Sequence, residues 1–222
     1  MEENRTNLGS IPERRLPVAL TTFAVVLLLA FTPSRIRLFP DWVFYGCAII
    51  VLLPMIIVGI VSDKRRWLRI ERFVTLGFCC FCFAGIITTL VILTRAILYH
   101  SAGVSGLQLL ATSIAVWNAN VLVFALFYWQ IDRGGPEARL YDKGVKPDFH
   151  FPCQDFSGEI PLNWKPTFID YLFLGFSTST AFSMTEAVPI THRAKLLIML
   201  QSSVSLVTLV VVGARAINIL GG

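Results

Sequence analysis

Long uninterrupted runs of apolar residues dominate the chain, and most polar residues gather between them. Four of these runs, at about 16–32, 42–61, 73–97 and 107–131, are long enough to cross a membrane as helices. A helix rises about 1.5 Å per residue, and the hydrocarbon core of a bilayer is about 30 Å thick. The apolar residues do not alternate every second position, which excludes a transmembrane barrel. The pattern predicts an all-α membrane protein.

Two further apolar runs near the C-terminus extend the prediction to a bundle of about six hydrophobic segments. The fifth begins at Phe168 and breaks into hydroxyl side chains from Ser177, and the stretch from Phe168 to Phe182 measures only about 22 Å as a helix. Two geometries are open for it. It is either a complete but polar helix that reaches Val188, or a half-helix that dips into the membrane and returns through 183–186. The sixth segment, 195–215, matches one crossing.

The composition agrees with this class of protein. Of the 222 residues, 55% are hydrophobic and only 15% charged, and the mean hydropathy is +0.68. One soluble core of this size cannot bury so much apolar surface, so the bilayer itself is the first expected partner.

The composition changes between 132 and 165, where glycines, prolines and mixed charges predict a solvated loop rather than a helix. With about 34 residues, this stretch is too small for an independent catalytic domain. The predicted organisation has four parts. They are a cytoplasmic N-terminus at 1–15, four transmembrane helices at 16–131, a cytoplasmic loop at 132–166, and a pore-like C-terminal hairpin at 167–222.

The distribution of basic residues predicts the orientation. Positive charges concentrate before the first segment, in 64–72 and in 132–165, and these three stretches share one side if four helices alternate. The other side then holds only Arg35, Arg37, Arg95 and the 192–195 group. Since cytoplasmic loops carry the excess of Lys and Arg, the N-terminus is predicted to be cytoplasmic.

Polar residues in the last two segments are the candidate chemistry. Gln201, Ser205 and Thr208 recur at spacings of four and three, so they form a stripe on one helix face that can meet the hydroxyls of the fifth segment. Two accounts are open: hydrogen bonds that hold the helices together, which the residue chemistry favours, or a hydrated path for an ion. The candidate path residues are Thr178, Thr180, Ser183, Thr185, Glu186, Gln201 and Ser205.

Enzyme chemistry is not predicted. His100, His150 and His192 are far apart in the sequence, the apolar segments hold no paired carboxylates, and no glycine-rich phosphate loop is present. Four of the five cysteines lie within apolar segments, where a thiol behaves as a small hydrophobic group. We therefore expect no metal and no cofactor, and no binding of nucleic acid.

The stretch 171–195 resembles the pore helix, filter and following turn of two-helix potassium channels. With Glu186 on the family's filter aspartate and Pro189 on its proline, residues 183–185 stand where that family has Gly-Tyr-Gly. Filter glycines let backbone carbonyls point at the ion, and Ser, Met and Thr carry a steric cost there. The resemblance implies a degenerate pore, conducting a monovalent cation through an altered filter.

A second resemblance covers most of the chain. Trp117, the aromatic cluster 127–129, and the stretches 148–152, 170–173 and 180–186 are similar to an uncharacterised family of bacterial multi-pass inner-membrane proteins. This resemblance implies a location in the bacterial inner membrane and no particular activity. Potassium-channel pore loops enter from outside, whereas the charge distribution places the 132–166 loop inside. A full fifth crossing therefore fits the orientation better.

Two functions follow from these observations. In the first, the chain is a channel-like protein that acts as a homo-oligomer, since one hairpin cannot enclose a pore. In the second, it is a non-conducting scaffold or regulatory protein whose basic cytoplasmic loops bind lipid or a partner protein. The first requires the hydroxyls to face water, and the second requires them packed and dry.

Overall fold

The computed structural model describes residues 15–30, 40–60, 64–98, 106–142, 144–152, 164–180 and 187–220. Nearly all of them are helical, which confirms the prediction of an all-α protein. The helices are α1 (Leu16–Ala30), α2 (Asp41–Ile60), α3 (Lys64–Leu98), α4 (Gly106–Ile131), α5 (Gly135–Tyr141), α6 (Phe168–Thr180) and α7 (His192–Leu220). Two short strands, β1 (Phe149–His150) and β2 (Val188–Pro189), pair in an antiparallel ladder.

Three helices are long and apolar enough to cross a membrane by length and composition: Arg65–Arg95, Gly106–Tyr141 and His192–Ala214. Leu16–Ala30 and Tyr45–Val58 are apolar but shorter. The 13 residues of α6 measure about 20 Å, less than the hydrocarbon thickness. The predicted count of about six hydrophobic segments is therefore not confirmed as six crossings.

Helix α4 lies at the centre of the bundle and packs against α1, α3, α6 and α7. Eight consecutive residues, 123–130, are buried, so the helix is covered on every side over more than two turns. Phe124 meets Phe83 of α3 edge to face at 5.5 Å between ring centroids. A helix that is apolar all round and enclosed by others is a core element. Helix α4 is therefore the core helix against which α6 and α7 pack.

Helices α6 and α7 both begin at the C-terminal end of α4 and run antiparallel to it. Phe168, at the start of α6, meets Trp129 at 6.1 Å between ring centroids, and Phe176 near its end meets Trp117. Arg193, at the start of α7, lies near the Ile131 carbonyl, with 3.5 Å between the guanidinium nitrogen and the oxygen.

The chain therefore leaves α6 at Thr180, halfway along α4, and starts α7 at the end where α6 started. A full fifth crossing would have placed the start of α7 at the opposite end of α4. The interpretation of this segment as a full crossing is wrong, because α7 starts at the same end of α4 as α6 does. Asp170 supports the start of α6, since its carboxylate accepts hydrogen bonds from the Thr167 backbone and hydroxyl.

The stretch after α4 is not the solvated loop that its composition predicts. A 3-10 turn at Asp132–Gly134 leads into α5, and Pro136, Glu137 and Phe149 are buried. Glycine allows the reversal, because Gly135 has a φ of +87° and an added Cβ would lie 2.8 Å from the Gln130 carbonyl. Residues 153–163 of the predicted loop lie outside the described residues.

Candidate functional site

A buried amide joins α7 to both of its neighbours. The Gln201 side-chain nitrogen donates to the Gly175 carbonyl at 2.7 Å and to the Ser179 hydroxyl at 2.8 Å. Its oxygen accepts the Tyr128 hydroxyl at 2.5 Å. Gln201 is fully buried, so three hydrogen bonds satisfy this side chain where no water reaches it.

One helical turn further along α7, a second set of bonds repeats the pattern. The Ser205 hydroxyl donates to the Ser179 carbonyl at 2.5 Å and accepts the Trp117 indole N–H at 3.0 Å. The Asn120 amide donates to the Gln201 carbonyl at 3.4 Å. We call the group formed by Trp117, Asn120, Tyr128, Ser179, Gln201 and Ser205 the polar seam.

A glycine lets α6 come close enough to form the seam. An added Cβ on Gly175 would lie 3.0 Å from the Val121 carbonyl and 3.4 Å from the Ala125 nitrogen. Small residues at helix contacts in membranes allow backbones to approach in this way, and interhelical hydrogen bonds then become reachable. Gly175 thus sets the spacing at which Gln201 can bridge α7, α6 and α4.

The structure brings together three of the predicted path residues, and they are packed rather than open. Gln201, Ser205 and Thr178 are at most 5% exposed, and the Thr178 hydroxyl bonds the Tyr128 side chain. The prediction that the α7 stripe meets the hydroxyls of the fifth segment is confirmed by the bond from Gln201 to the Ser179 hydroxyl.

The other four path residues lie at or beyond the end of α6. The Thr180 hydroxyl returns to its own helix and donates to the Phe176 carbonyl at 3.1 Å. Ser183, Thr185 and Glu186 lie outside the described residues.

A second polar group holds the start of α6 and the chain beyond it. Asp132, directly after α4, is fully buried. Its carboxylate accepts the Tyr171 hydroxyl at 2.6 Å and the backbone N–H groups of Asp148 and Phe149 at 2.8 and 3.2 Å. Arg139 donates to the backbone carbonyls of Trp129 and Asp132 and so covers the end of α4.

Asp148 continues this group to α7. Its carboxylate is also fully buried and accepts the Thr191 hydroxyl at 2.6 Å and the Arg193 guanidinium at 2.5 and 2.6 Å. The Asp148 carbonyl accepts the N–H of Ile190. Two buried carboxylates therefore fix the start of α6, the ladder and the start of α7 to the end of α4. We call Asp132, Asp148, Tyr171, Thr191 and Arg193 the carboxylate clamp.

Sequence reasoning misses the clamp, because the composition of 132–165 predicts a solvated loop in which Asp132 and Asp148 are exposed charges. A signal was present: Asp148 precedes the alternating apolar pair Phe149 and Phe151, both of which are buried. Alternation of this kind indicates a strand with one buried face, where a neighbouring carboxylate needs a partner.

Most ion pairs of the described residues lie at the same end of the bundle as the clamp. Arg65 and Arg69 of α3 donate to Glu137 of α5, and Arg15 pairs with Glu71. The predicted placement of the 192–195 group on the opposite side is wrong, because Arg193 bonds Asp148 and lies near the Ile131 carbonyl at the clamp end.

Within the described ranges, no group of three His, Cys, Asp or Glu side chains could hold a metal ion. Cys79 and Cys82 are buried and Cys80 is exposed, which suits helix packing. The chemistry that the site offers is hydrogen bonding and charge pairing.

Comparison with known proteins adds no relative from which a role could be transferred: no protein-family model, no curated protein and no solved structure matches the chain. The fold and site define a class of protein, a helical chain with three helices that could span a membrane and a buried polar seam between α4, α6 and α7.

Proposed function

We propose that the chain is a subunit of a channel-like membrane protein in which α6 is a re-entrant half-helix and α7 is the long helix that follows it. The observation that carries the proposal is the direction of the two helices. Helix α6 is short, ends beside Ser205 and Trp117 halfway along α4, and is followed by a long helix that starts again at the clamp end. A short helix that enters and a chain that returns on the same side is the topology of a pore loop.

The free-energy cost of placing non-helical backbone at membrane depth supports a transport role. Backbone without helical hydrogen bonds is tolerated at membrane depth only where protein buries it or where it lines a cavity. The C-terminal end of α6, at Thr180, points into the middle of the bundle, and the helix dipole makes that end negative. Half-helices of this orientation favour a cation at their tip, so a monovalent cation is the proposed solute.

The buried hydroxyls take a supporting part in this proposal. Thr178, Gln201 and Ser205 hold α6 in place, and the path itself is assigned to Thr180 and to 183–186, with Glu186 as its carboxylate. One hairpin cannot enclose a pore, so the subunit is proposed to act as a homo-oligomer. The basic residues at the clamp end support a cytoplasmic position for that end, and the bacterial inner membrane is the proposed location.

A second candidate is a non-conducting membrane scaffold. The burial of the polar seam favours it, because Gln201 and Ser205 are at most 1% exposed and bond to other parts of the chain. In that case the exposed arginines Arg65 and Arg69 would bind anionic lipid or an acidic partner.

Flux measurements in liposomes separate the two candidates. Purified protein is reconstituted and the fluxes of potassium, sodium, protons and chloride are compared for the native chain, Glu186→Gln and Thr180→Val. Ser203→Ala is the matched control, because Ser203 is exposed and bonds only its own helix, at the Met199 carbonyl.

A cation flux that falls in the first two variants and persists in the control supports the channel. Flux that is unchanged in Glu186→Gln and Thr180→Val, with normal assembly, rejects the assigned path. No flux for any ion supports the scaffold.

A further inference from the structure

A groove between α3 and α7 lies far from the carboxylate clamp. It has a volume of about 390 Å³, within the range of small-ligand sites. Leu90 and Val204 form its buried floor, and Ile87, Val91 and Val207 form partly exposed walls. The hydroxyls at its edge, Thr94 and Ser203, donate to carbonyls of their own helices. The groove surface is therefore almost entirely apolar.

Arg95 stands at the end of this groove. Its side chain is exposed and has no hydrogen-bond or ion-pair partner among the residues that the structure describes. All carboxylates with described side chains lie at the opposite end of the bundle, by the clamp: Glu71, Asp132, Glu137, Asp142, Asp148 and Asp170. None of these carboxylates is therefore a counter-ion for the Arg95 guanidinium, which lies beside an apolar surface.

The depth of Arg95 suits a lipid headgroup. Arg95 lies about 36 Å along α3 from Glu71, slightly more than the ~30 Å hydrocarbon thickness. The groove runs from Arg95 back to Ile87, about 12 Å toward the middle of the helix. A charge at headgroup level with an apolar channel leading inward matches the shape and polarity of a phospholipid.

We infer that this groove binds one anionic phospholipid, with the phosphate at Arg95 and an acyl chain against Leu90 and Val204. The inference rests on the membrane location in the proposed function and not on conduction, so the two can fail separately. One favourable contact of a surface arginine with an anionic lipid is worth about 1 kcal/mol, or about a fivefold preference over a zwitterionic lipid.

Native mass spectrometry of the full chain in detergent tests the site. Phosphatidylglycerol and phosphatidylcholine with identical acyl chains are titrated separately and their occupancies compared. Arg95→Gln removes the charge and Arg95→Lys retains it, while Arg65→Gln removes an exposed charge at the other end. Val207→Trp fills the groove, and Leu206→Trp is its control, exposed at the same depth but outside the groove lining.

The expected result is a preference of about fivefold for phosphatidylglycerol in the native chain, in Arg95→Lys, in Arg65→Gln and in Leu206→Trp. Arg95→Gln should lose the preference, and Val207→Trp should lose occupancy by both lipids. An undiminished preference in Arg95→Gln overturns the charge assignment. Undiminished occupancy in Val207→Trp overturns the groove. A change of oligomeric state in Val207→Trp with lipid binding intact assigns the groove to a second copy of the chain and also overturns the inference.

Discussion

Gln201 is expected to be the side chain whose loss most weakens the attachment of α7 to α6 and α4. Replacing it with Met keeps a similar volume and removes all three side-chain hydrogen bonds, at 2.5–2.8 Å, to Tyr128, Gly175 and Ser179. Interhelical hydrogen bonds in membranes are worth about 0.6 kcal/mol on average and up to about 1.7. Three of them, together with the buried partners that are left unpaired, predict a loss of about 2–3 kcal/mol.

Asn118→Leu is the matched control, because the Asn118 amide lies in α4 but donates only to its own helix, at the Ile114 carbonyl. We expect a change within about 0.5 kcal/mol for this variant. Reversible unfolding in mixed micelles, followed by circular dichroism across a series of SDS fractions, gives the free energy of unfolding for each. The double variant Gln201→Met with Tyr128→Phe should be less destabilised than the sum of the two single changes, since they remove one shared bond.

An equal loss in Gln201→Met and Asn118→Leu would refute the reasoning. It would mean that hydrogen bonds between helices carry no more stability here than those within one helix. Additivity in the double variant would refute the Tyr128 contact specifically.

The close packing of α6 and the buried charge of the carboxylate clamp give two further predictions. Gly175→Ala should destabilise by about 1–3 kcal/mol, because its Cβ would press on the Val121 carbonyl at 3.0 Å, whereas Gly77→Ala, with nothing within 4 Å, should be neutral or stabilising. The same SDS titration measures both, and equal effects would contradict the close-approach assignment. Asp148→Asn should cost about 2 kcal/mol, since it weakens a paired, fully buried carboxylate whose guanidinium partner is half exposed. It should also speed proteolysis before α7. Asp142→Asn, half exposed, should do neither, and matching results for the two aspartates would argue against the clamp.

The polar seam shows how much local pattern can predict. The spacing of four between Gln201 and Ser205 puts both on one face of any helix, so the stripe followed from the sequence. The residue of the fifth segment that the stripe contacts did not follow from the sequence. Ser179 was one of several hydroxyls in the fifth segment, and only the packing at Gly175 selects it.

The carboxylate clamp shows the opposite case. Asp132 and Asp148 stand among glycines, prolines and exposed charges, a composition typical of solvated loops. They become a site because the chain reverses at Gly134 and Gly135 and brings the ladder against the end of α4. The periodic pattern of a helix or strand reflects only neighbours in the sequence. It does not reveal a contact between distant residues, such as Asp148 with Arg193.

The sequence by itself determined the helical class, the long apolar runs of α3, α4 and α7, and the polar face of α7. These features depend on composition and on a helical period of 3.6 residues, which act over a few turns. Only the tertiary structure decided at which end of α4 the chain starts α7. Two geometries satisfied the apolar pattern equally, and burying Asp132 and Asp148 with Tyr171 and Arg193 as partners brings the start of α7 back to the end where α6 begins. A buried carboxylate without partners is too costly to keep, so those long-range pairs favour one geometry over the other.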